Sequence, residues 1–347
     1  MTKRKLGILG GGQLGMFICQ AAKKMGIHTI VFSRNENFSA KEFCDHFIIG
    51  EYEDKKKLNQ FIKSANHFTI ETENVPKQIL KIIEKEKNLF PSSKIVEITQ
   101  NRIKEKKFLN SIQNVKTTRY RLINNFDDLK NGLELFDFKA ILKSCELGYD
   151  GKGQFLVHKK NLLDFKNKPL INYVLEEFLE FEKEISIIIS RSNKKSIHYP
   201  PVENLHRNSI LRETNYPANI SERTTKNAIK IGKKISEEIN LIGILAIEMF
   251  VMNDENLIIN ELAPRPHNSG HWSIDCCKYS QFQNLLFSIF DNQVKEPIPQ
   301  KKCKMVNLIG NEYKKINYLK NHYRCYDYFK VKLNPNRKMG HYMIIGD

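Results

Sequence analysis

Short apolar runs alternate with amphipathic stretches along the first 95 residues. The apolar runs predict strands at 5–9, 28–32, 47–49 and 68–70, and the amphipathic stretches predict helices at 14–25 and 58–64. Glycine turns separate several of these elements. Alternating strands and helices joined by short turns are typical of an open, mostly parallel sheet, so the sequence predicts an α/β domain here.

The pattern changes after residue 95. Residues 96–112 form a charged, helix-like stretch that we expect to leave the first domain. Further on, the pattern predicts strands at 140–143, 155–158, 184–191, 246–251 and 257–260 and a helix at 225–238. We therefore divide the chain into an N-terminal domain (1–95), a linker helix with a central subdomain (96–175), a second subdomain (176–298) and a small C-terminal unit (299–347).

The first glycine turn, residues 10–15, reads Gly-Gly-Gly-Gln-Leu-Gly and fits the G-x-G-x-x-G pattern between a predicted strand and a predicted helix. In dinucleotide-binding folds such glycines let the backbone approach a pyrophosphate at a helix N-terminus. The acid that usually follows about 20 residues later to bind a ribose is absent, because the next strand ends at Ser33-Arg34. Arg34 would suit a 2′-phosphate, so an NADP oxidoreductase stays an alternative to a phosphate or ribonucleotide site at this helix end.

A second glycine-rich loop, residues 148–154, reads Gly-Tyr-Asp-Gly-Lys-Gly-Gln and lies between two predicted strands. Glycines at alternating positions would make a flexible flap whose backbone N–H groups fold over phosphates. Lys143, on the strand before the loop, would supply a positive charge to the same phosphates. The alternative is a glycine-rich hairpin without a ligand.

Carboxylates occur inside two predicted strands that are otherwise apolar. Glu248 lies in the run Leu-Ala-Ile-Glu-Met-Phe-Val, and Glu261 follows Leu-Ile-Ile-Asn. The turn at 253–256 predicts a hairpin that brings the two carboxylates near each other. Adjacent acids repel one another unless a hard cation bridges them, and magnesium bound with nucleotide phosphates is the usual reason for such a pair. The alternative is that one of the two faces solvent.

Composition narrows the class of protein. The net charge of +17 would suit a nucleic-acid-binding protein. The lysines, however, are scattered among polar residues and glutamates, so we expect a solvated surface that attracts small anions and no nucleic-acid partner. No window holds about 20 apolar residues, so we expect no membrane span. Seven cysteines without a C-x-x-C pair indicate reduced cytoplasmic thiols.

Together these features resemble the ATP-grasp superfamily: the glycine flap, Lys143, the run Glu-Glu-Phe-Leu at 176–179 and the carboxylates at 248 and 261. Within that superfamily, several strings are similar to the 5-(carboxyamino)imidazole ribonucleotide synthetases. The strings lie at 10–15, 71–76, 149–154, 199–207, 260–272, 280–282, 305–308 and 338–341. The matches follow the family order from residue 6 to residue 345, and the string at 260–272 is the most specific. Met16, Thr72 and Leu147 depart from the family pattern.

The resemblance implies an ATP-grasp fold of mixed α/β and α+β type, with an N-terminal Rossmann-like (preATP-grasp) parallel sheet and a small C-terminal domain. It also implies a cytoplasmic homodimer that uses ATP, magnesium and bicarbonate to carboxylate the amine of 5-aminoimidazole ribonucleotide. Bicarbonate would attack the γ-phosphate to give carboxyphosphate and ADP, and the amine would then take up the carboxyl group. A formate-dependent glycinamide ribonucleotide transformylase is the nearest alternative, and the strings at 74–76 and 199–207 disfavour it.

The resemblance further implies roles for individual residues. Those implied to bind the nucleotide are Arg102, Lys143, Gly148, Tyr149, Asp150, Gly151, Lys152, Gly153, Gln154, Glu176, Glu177, Phe178, Leu179, Glu184, His206, Asn260 and Glu261. Those implied to bind the ribonucleotide or carboxyphosphate are Gln13, Leu14, Glu73, Asp150, Arg265, His267, Asn268 and Lys338. The implied magnesium ligands are Glu248 and Glu261, and the implied catalytic residues are Asp150, Lys152 and Arg265. Asp150 would orient the attacking amine, and a closed flap would keep water from the labile acyl phosphate.

Two features near residue 270 invite other interpretations. His267 and His271 are four residues apart, as in zinc pairs on helices, but Pro264 and Pro266 disfavour a helix there. Trp272, the single tryptophan, would stack on a base or pack in the core. We expect no zinc and a tryptophan in the core.

The carboxylate hairpin generates a first prediction. Glu261→Gln keeps the size of the side chain but removes the negative charge that we expect to bind magnesium, so ATP turnover should nearly disappear while the fold is retained. Steady-state ADP release and circular dichroism of the variant check this. Near-normal turnover would contradict the assignment of Glu261 as a magnesium ligand.

Overall fold

The computed structural model describes residues 4–146, 148 and 153–346. In this part of the chain the strands β1 to β17 lie at Lys5–Leu9, His28–Ser33, His46–Ile49, His67–Ile70, Asn88–Phe90, Tyr120–Ile123, Lys139–Ser144, Gln154–His158, Tyr173–Glu177, Lys183–Arg191, Ser196–Arg207, Ile210–Tyr216, Gly243–Val251, Leu257–Ala263, Cys303–Ile309, Arg324–Asp327 and Lys338–Ile345. The helices α1 to α10 lie at Gln13–Lys24, Lys55–Ser64, Lys77–Glu86, Ser93–Thr99, Arg102–Asn110, Phe126–Leu135, Glu222–Glu238, Ser273–Cys276, Gln281–Leu286 and Ile316–Leu319.

The first five strands form the predicted open parallel sheet, in the order β3-β2-β1-β4-β5. The central strand β1 is buried from Leu6 to Leu9, because helices or other segments cover both faces of a parallel sheet of this kind. Alternate side chains therefore enter two different cores. Leu6 and Ile8 pack with α1, and Leu9 packs with Phe61 and Phe68 on the other face.

The charged stretch at 96–112 is not a single helix. It is divided between the end of α4 and the whole of α5, and the break falls at Gln100-Asn101. The Asn101 side chain accepts hydrogen bonds from the backbone N–H groups of Ile103 and Lys104, which caps the new helix. Asparagine favours such caps over helix interiors, and this local preference ends the first helix and starts the second.

A separate four-stranded antiparallel sheet, in the order β6-β9-β7-β8, follows α5 along the chain. Helix α6 packs on one face and forms a small apolar core with residues such as Leu129, Leu133 and Leu142. Strands β7 and β8 match the segments predicted at 140–143 and 155–158.

The largest sheet has eight strands in the order β14-β13-β10-β11-β12-β15-β17-β16. The sequence pattern did not predict strands β11 and β12, and β11 contains Pro200 and Pro201, which disfavour the interior of a sheet. The ladder accommodates them at a bulge, where Tyr199 pairs with Ile188 and Val202 pairs with Ser186, so that β11 has one extra residue. The three strands after residue 302 join this same sheet, and the division of the chain into four units stays a prediction.

The cysteines and Trp272 have the environments that the sequence predicts. All seven cysteines are free, and five of them are buried. Trp272 is buried against the ring of Tyr216, with ring centroids 4.4 Å apart, which confirms that it packs in the core.

None of the helices in the described ranges is both long enough and apolar enough to cross a membrane.

The aromatic core under the parallel sheet generates a second prediction. Phe61 is fully buried between Phe32 and Phe68, so Phe61→Ala should leave a cavity and lower the free energy of unfolding by about 3–5 kcal/mol. Urea unfolding followed by circular dichroism measures this change. Phe47→Ala is the matched control, because Phe47 is 43% exposed and its loss should cost much less. Equal costs for the two variants would contradict the core assignment.

Candidate functional site

Two cavities, of about 400 Å³ and about 430 Å³, share part of their walls. Cavity 1 lies between the four-stranded sheet and the strands β10, β11, β13 and β14. Cavity 2 lies between the first glycine turn and the segment that follows β14. The residues that line both cavities are Arg102, Glu261, His267 and Lys338. A molecule in one cavity can therefore meet a molecule in the other at this shared wall.

Cavity 1 brings together most of the residues that the sequence assigned to a nucleotide. Its wall includes Arg102, Lys143, Gln154, Glu176, Glu177, Phe178, Leu179, Glu184, His206, Glu248, Asn260 and Glu261. Gly148 lies instead in the wall of cavity 2. Gly153 is in the left-handed region with φ of 71°, and a Cβ there would lie 2.6 Å from Ser144 Oγ, so only glycine fits. The predicted site residues Tyr149, Asp150, Gly151 and Lys152 lie outside the described residues.

A buried ion cluster forms the floor of cavity 1. Glu176 lies between two ammonium groups, with Lys143 Nζ 2.8 Å from one carboxylate oxygen and Lys106 Nζ 3.3 Å from the other. Burial opposes ionisation of Glu176, but Lys143 and Lys106 outweigh it and lower the pKa to about 2. Lys106 also donates to Thr118 Oγ1 at 2.7 Å. The cluster keeps a negative charge fixed beside Lys143.

Lys106 was missed by sequence reasoning, since it lies in the charged, helix-like stretch at 96–112, where Arg102 was the only predicted site residue. Its side chain is 1% exposed, and burial lowers its pKa although Glu176 is adjacent. Lys106 is four residues after Arg102 on α5, so both side chains lie on one helix face. That spacing is the signal that could have identified it.

The end of β9 and the two residues after it supply both charged and apolar side chains to the wall of cavity 1. The Glu177 carboxylate is paired with Arg119, whose Nε and Nη2 atoms donate to it at 2.8 and 2.7 Å. The Lys139 ammonium lies 3.8 Å from the centre of the Phe178 ring. Phe178 and Leu179 thus offer apolar surface, whereas the Glu177 side chain already has a protein partner.

The predicted carboxylate hairpin is confirmed by the pairing of β13 with β14. Glu248 and Glu261 lie directly opposite each other, and Asn260 is the extra residue of a bulge beside them. Burial, followed by the charges of Glu261 and Glu184, raises the pKa of Glu248 to about 8. The Asn260 Oδ1 atom is buried without a hydrogen-bond partner among the described residues. These are oxygen donors whose mutual repulsion a cation would relieve.

Two histidines border this acidic group. His206 Nδ1 lies 2.8 Å from Glu184 Oε2, an ion contact rather than a directed hydrogen bond, and Glu184 raises the pKa of His206 against the effect of burial. Donor atoms of Glu184, His206 and Glu248 all lie within 4.8 Å of one another. His267 Nε2 is 3.7 Å from Glu248 Oε1, and burial holds the pKa of His267 well below its usual value. Burial therefore favours neutral His267, whereas Glu184 favours the protonated form of His206.

Arg102, the first residue of helix α5, lies in the wall that the two cavities share. Arg102 Nη1 donates to Glu261 Oε2 at 3.1 Å, and this pairing offsets the effect of burial and lowers the pKa of Glu261. Glu105, which sequence reasoning missed, accepts a hydrogen bond from the Leu262 backbone N–H at 3.1 Å. Burial and the charge of Glu261 raise the pKa of Glu105 to about 8. Helix α5 thus contacts β14 through one ion pair and one hydrogen bond.

Cavity 2 brings together the residues that the sequence assigned to a ribonucleotide. They are Gln13, Leu14, Glu73, Arg265, His267, Asn268 and Lys338. Arg265 Nε donates to Glu73 Oε2 at 2.7 Å, which links the segment after β14 to the N-terminal domain. The Asn268 amide exchanges hydrogen bonds with the Asn307 amide, at 2.6 and 3.2 Å. Asn268 is thus held by the protein, while Arg265 and Lys338 give the cavity positive charge.

The first glycine turn carries an internal carboxylate. The backbone N–H groups of Gly12 and Gly15 donate to the two Glu71 oxygens, at 2.8 and 3.2 Å. Burial raises the pKa of Glu71, although these two donors favour its ionised form. Arg34 is paired with Glu51 at 2.6 Å. The N–H groups and the arginine that a dinucleotide would require therefore both have protein partners, which disfavours the NADP alternative.

The pair His267 and His271 does not form a metal site in the described residues. His271 is fully buried, with Nδ1 3.3 Å from Gln281 Nε2, and its ring lies 5.0 Å from Phe17. The one cluster of three metal-binding side chains in the described ranges is Glu184, His206 and Glu248.

Three family profiles match consecutive parts of the chain. They are a ribonucleotide synthetase preATP-grasp domain at residues 3–100, an ATP-grasp domain at 108–282 and a phosphoribosylaminoimidazole carboxylase C-terminal domain at 303–347.

Several known proteins are similar to nearly the whole of this chain. The N5-carboxyaminoimidazole ribonucleotide synthase of Bacillus subtilis is 33% identical over 97% of this chain and 90% of its own length. A crystal structure of an N5-carboxyaminoimidazole ribonucleotide synthetase in complex with ADP has a TM-score of 0.94 and 35% identity, covering 100% of this chain and 95% of the other. The Aspergillus clavatus N5-carboxyaminoimidazole synthase, solved with ADP and 5-aminoimidazole ribonucleotide, has a TM-score of 0.90 and 26% identity, covering 99% and 94% of the two chains.

The Glu176 cluster generates a third prediction, which concerns pH. The native pKa of about 2 lies below the ordinary value of 4.5, so Glu176 stabilises the fold above about pH 4.5 and this contribution is lost as the pH falls towards 2. The full contribution is about 3 kcal/mol. Glu176→Gln should therefore unfold at lower urea concentration at pH 7, and its difference from the wild type should shrink on acidification.

Glu177→Gln is the matched control for that measurement. Its partner Arg119 has a 61% exposed side chain, so the variant should differ from the wild type by about 0–1 kcal/mol at pH 7. A Glu176→Gln difference that stays constant from about pH 5 to about pH 3 would contradict the role assigned to the ion cluster.

Proposed function

The chain belongs to the N5-carboxyaminoimidazole ribonucleotide synthase family and has the ATP-grasp fold, and we propose that it carboxylates the amine of 5-aminoimidazole ribonucleotide with ATP and bicarbonate. The products are N5-carboxyaminoimidazole ribonucleotide, ADP and phosphate, in a step of purine biosynthesis. The observation that carries this proposal is the wall shared by the two cavities, because a phosphoryl group at the end of one cavity meets an acceptor at the end of the other.

ATP binds in cavity 1. Phe178 and Leu179 offer apolar surface to the base, and Glu184 faces the ribose hydroxyl groups. Lys143 and Arg102 direct positive charge towards the phosphates, and each is held by a carboxylate of the protein, Glu176 and Glu261. Because these charges are fixed before the nucleotide arrives, little reorganisation accompanies phosphoryl transfer.

Magnesium fits the hairpin residues Glu248 and Glu261, with Asn260 beside them. The buried Asn260 oxygen has no partner among the described residues, and the carboxylate of Glu248 is held near other negative charges that raise its pKa to about 8. A bound magnesium ion would neutralise charge that develops on the transferring phosphoryl group.

In the first step, a bicarbonate oxygen forms a bond to the γ-phosphorus while the bond from that phosphorus to the bridging oxygen of ADP breaks, which gives carboxyphosphate. In the second step, the amine nitrogen bonds to the carboxyl carbon, phosphate leaves with the electrons of the C–O bond, and the proton released by nitrogen passes to phosphate. Arg102, His267 and Lys338, at the shared wall, contact both reactants. His267 is neutral and therefore offers a hydrogen bond without a competing charge.

The ribonucleotide binds in cavity 2, between Gln13, Leu14 and Glu73 on one side and Arg265 and Lys338 on the other. The Arg265–Glu73 ion pair supports this assignment, because it fixes the guanidinium at the cavity wall. Asp150 and Lys152, expected to orient the amine and to cover the phosphates, remain candidates from the family resemblance. The cytoplasmic location and the homodimer also remain proposals on that basis.

Ribonucleotide-dependent ADP release tests the proposed function. With ATP, magnesium and bicarbonate present, 5-aminoimidazole ribonucleotide should stimulate ADP release strongly, at least about tenfold, because the acceptor consumes carboxyphosphate. The free amine of the ribonucleotide should disappear at the same rate. Glycinamide ribonucleotide with formate is the control substrate pair. Stimulation by that pair alone, or by neither pair in a folded protein that binds ATP, would overturn the proposal and leave the fold assignment intact.

A further inference from the structure

The N-terminus of α1 is built like a phosphate site but has a carboxylate in place of the phosphate. Glu71 follows the end of β4, and its backbone N–H donates to the Leu9 carbonyl at 3.0 Å. Its side chain then turns towards α1, where its two oxygens accept from Gly12 and Gly15 at 2.8 and 3.2 Å. These are the N–H groups that a helix N-terminus offers to an anion.

The glycines of the turn make room for this side chain. A Cβ at Gly10 would lie 2.5 Å from Glu71 Cγ, and a Cβ at Gly12 would lie 2.7 Å from both Glu71 carboxylate oxygens. Gly15 is required for a different reason, because a Cβ at this position would lie 2.9 Å from the Gly10 backbone carbonyl oxygen. Two of the glycines in the dinucleotide-like motif are therefore required by an internal anion.

Within the described residues, Glu71 is the acid whose side chain accepts hydrogen bonds from this helix end. The first turn of α1 contains no acidic residue, and its N-cap, Gly12, has no side chain to accept a hydrogen bond. Glu71 thus supplies the acceptor that the start of α1 lacks locally. It also lines cavity 2, beside Gln13 and Leu14 of the same helix turn.

We propose that Glu71 is a specificity-determining residue, which closes the N-terminus of α1 to phosphates and positions Gln13 and Leu14 for the ribonucleotide. This inference rests on the proposed function for the identity of that substrate. The Glu71 side chain fills the space at this end of cavity 2 and occupies the backbone N–H groups that a phosphate would use. The phosphate of a bound ribonucleotide is therefore kept away from the glycine turn.

The test is a titration of inorganic phosphate into protein labelled with ¹⁵N at glycine, without ATP or magnesium. In Glu71→Ala the freed donors should bind phosphate, so the Gly12 and Gly15 amide signals should shift in a saturable way. In the wild type these two signals should not respond. Thr72→Ala is the matched control, because Thr72 lines the same cavity but its hydroxyl contacts the Asn74 backbone N–H instead of these amides, and its titration should match that of the wild type.

A kinetic measurement accompanies the titration. Glu71→Ala should raise the KM for the ribonucleotide about tenfold or more, since two charge-assisted hydrogen bonds that hold the α1 turn are lost. The KM for ATP should stay within about twofold, because cavity 1 does not include Glu71. A general loss of structure would instead change both KM values and many glycine signals.

Glu71→Gln covers the case in which the alanine variant does not fold. Its amide accepts from one of the two N–H groups only, so the other amide signal should move and the KM for the ribonucleotide should rise about tenfold. The inference is overturned if folded Glu71→Ala shows no saturable shift at Gly12 and Gly15, or if Thr72→Ala shows the same shift. It is also overturned if the glutamine variant, tested alone, leaves the signals and the KM unchanged. Because the phosphate titration needs no turnover, its result stands even if the carboxylation itself fails.

Discussion

Buried carboxylates have to be paired, and this requirement organises the centre of the molecule. Glu176 and Glu261 lie in separate sheets, and each is neutralised by a cation, Lys143 for the first and Arg102 for the second. Lys106 contributes a second cation to Glu176 from the same helix as Arg102. Helix α5 therefore contacts both sheets through charged side chains, and cavity 1 lies between the two sheets. Removing any one of these charges would leave a buried partner uncompensated.

Glu248 and Glu176 differ in how fully nearby cations compensate their negative charge. Burial and the charges of Glu261 and Glu184 raise the pKa of Glu248 to about 8, although His206 and His267 are nearby. In the cluster around Glu176, two ammonium groups outweigh the effect of burial and lower the pKa to about 2. The contrast separates a carboxylate that is already paired with cations from one that the proposed magnesium ion would neutralise. Glu248 lies directly opposite Glu261, which is in the wall shared by the two cavities.

The glycine turn illustrates how one motif can serve two kinds of anion. A G-x-G-x-x-G turn offers the same backbone donors whether the acceptor is a pyrophosphate or a side-chain carboxylate. Here the acceptor is Glu71, and Arg34 is paired with Glu51. The motif correctly predicted a strand, a turn and a helix, but the ligand depended on a residue about sixty positions away. Local sequence could not distinguish these cases, because the deciding contact is long-range.

The sequence by itself determined the parallel sheet, the β13–β14 hairpin and the family. Apolar periodicity sets strands and helices locally, and the hairpin turn brings Glu248 and Glu261 into register. Tertiary structure decided which charges are buried together. Lys106 and Glu105 resemble surface residues in the sequence, yet both are buried against segments more than fifty residues away. The tertiary structure also placed Pro200 and Pro201 at a bulge inside a sheet. Local patterns specify elements, but the pairing of buried charges depends on packing between distant elements, which no short window of sequence contains.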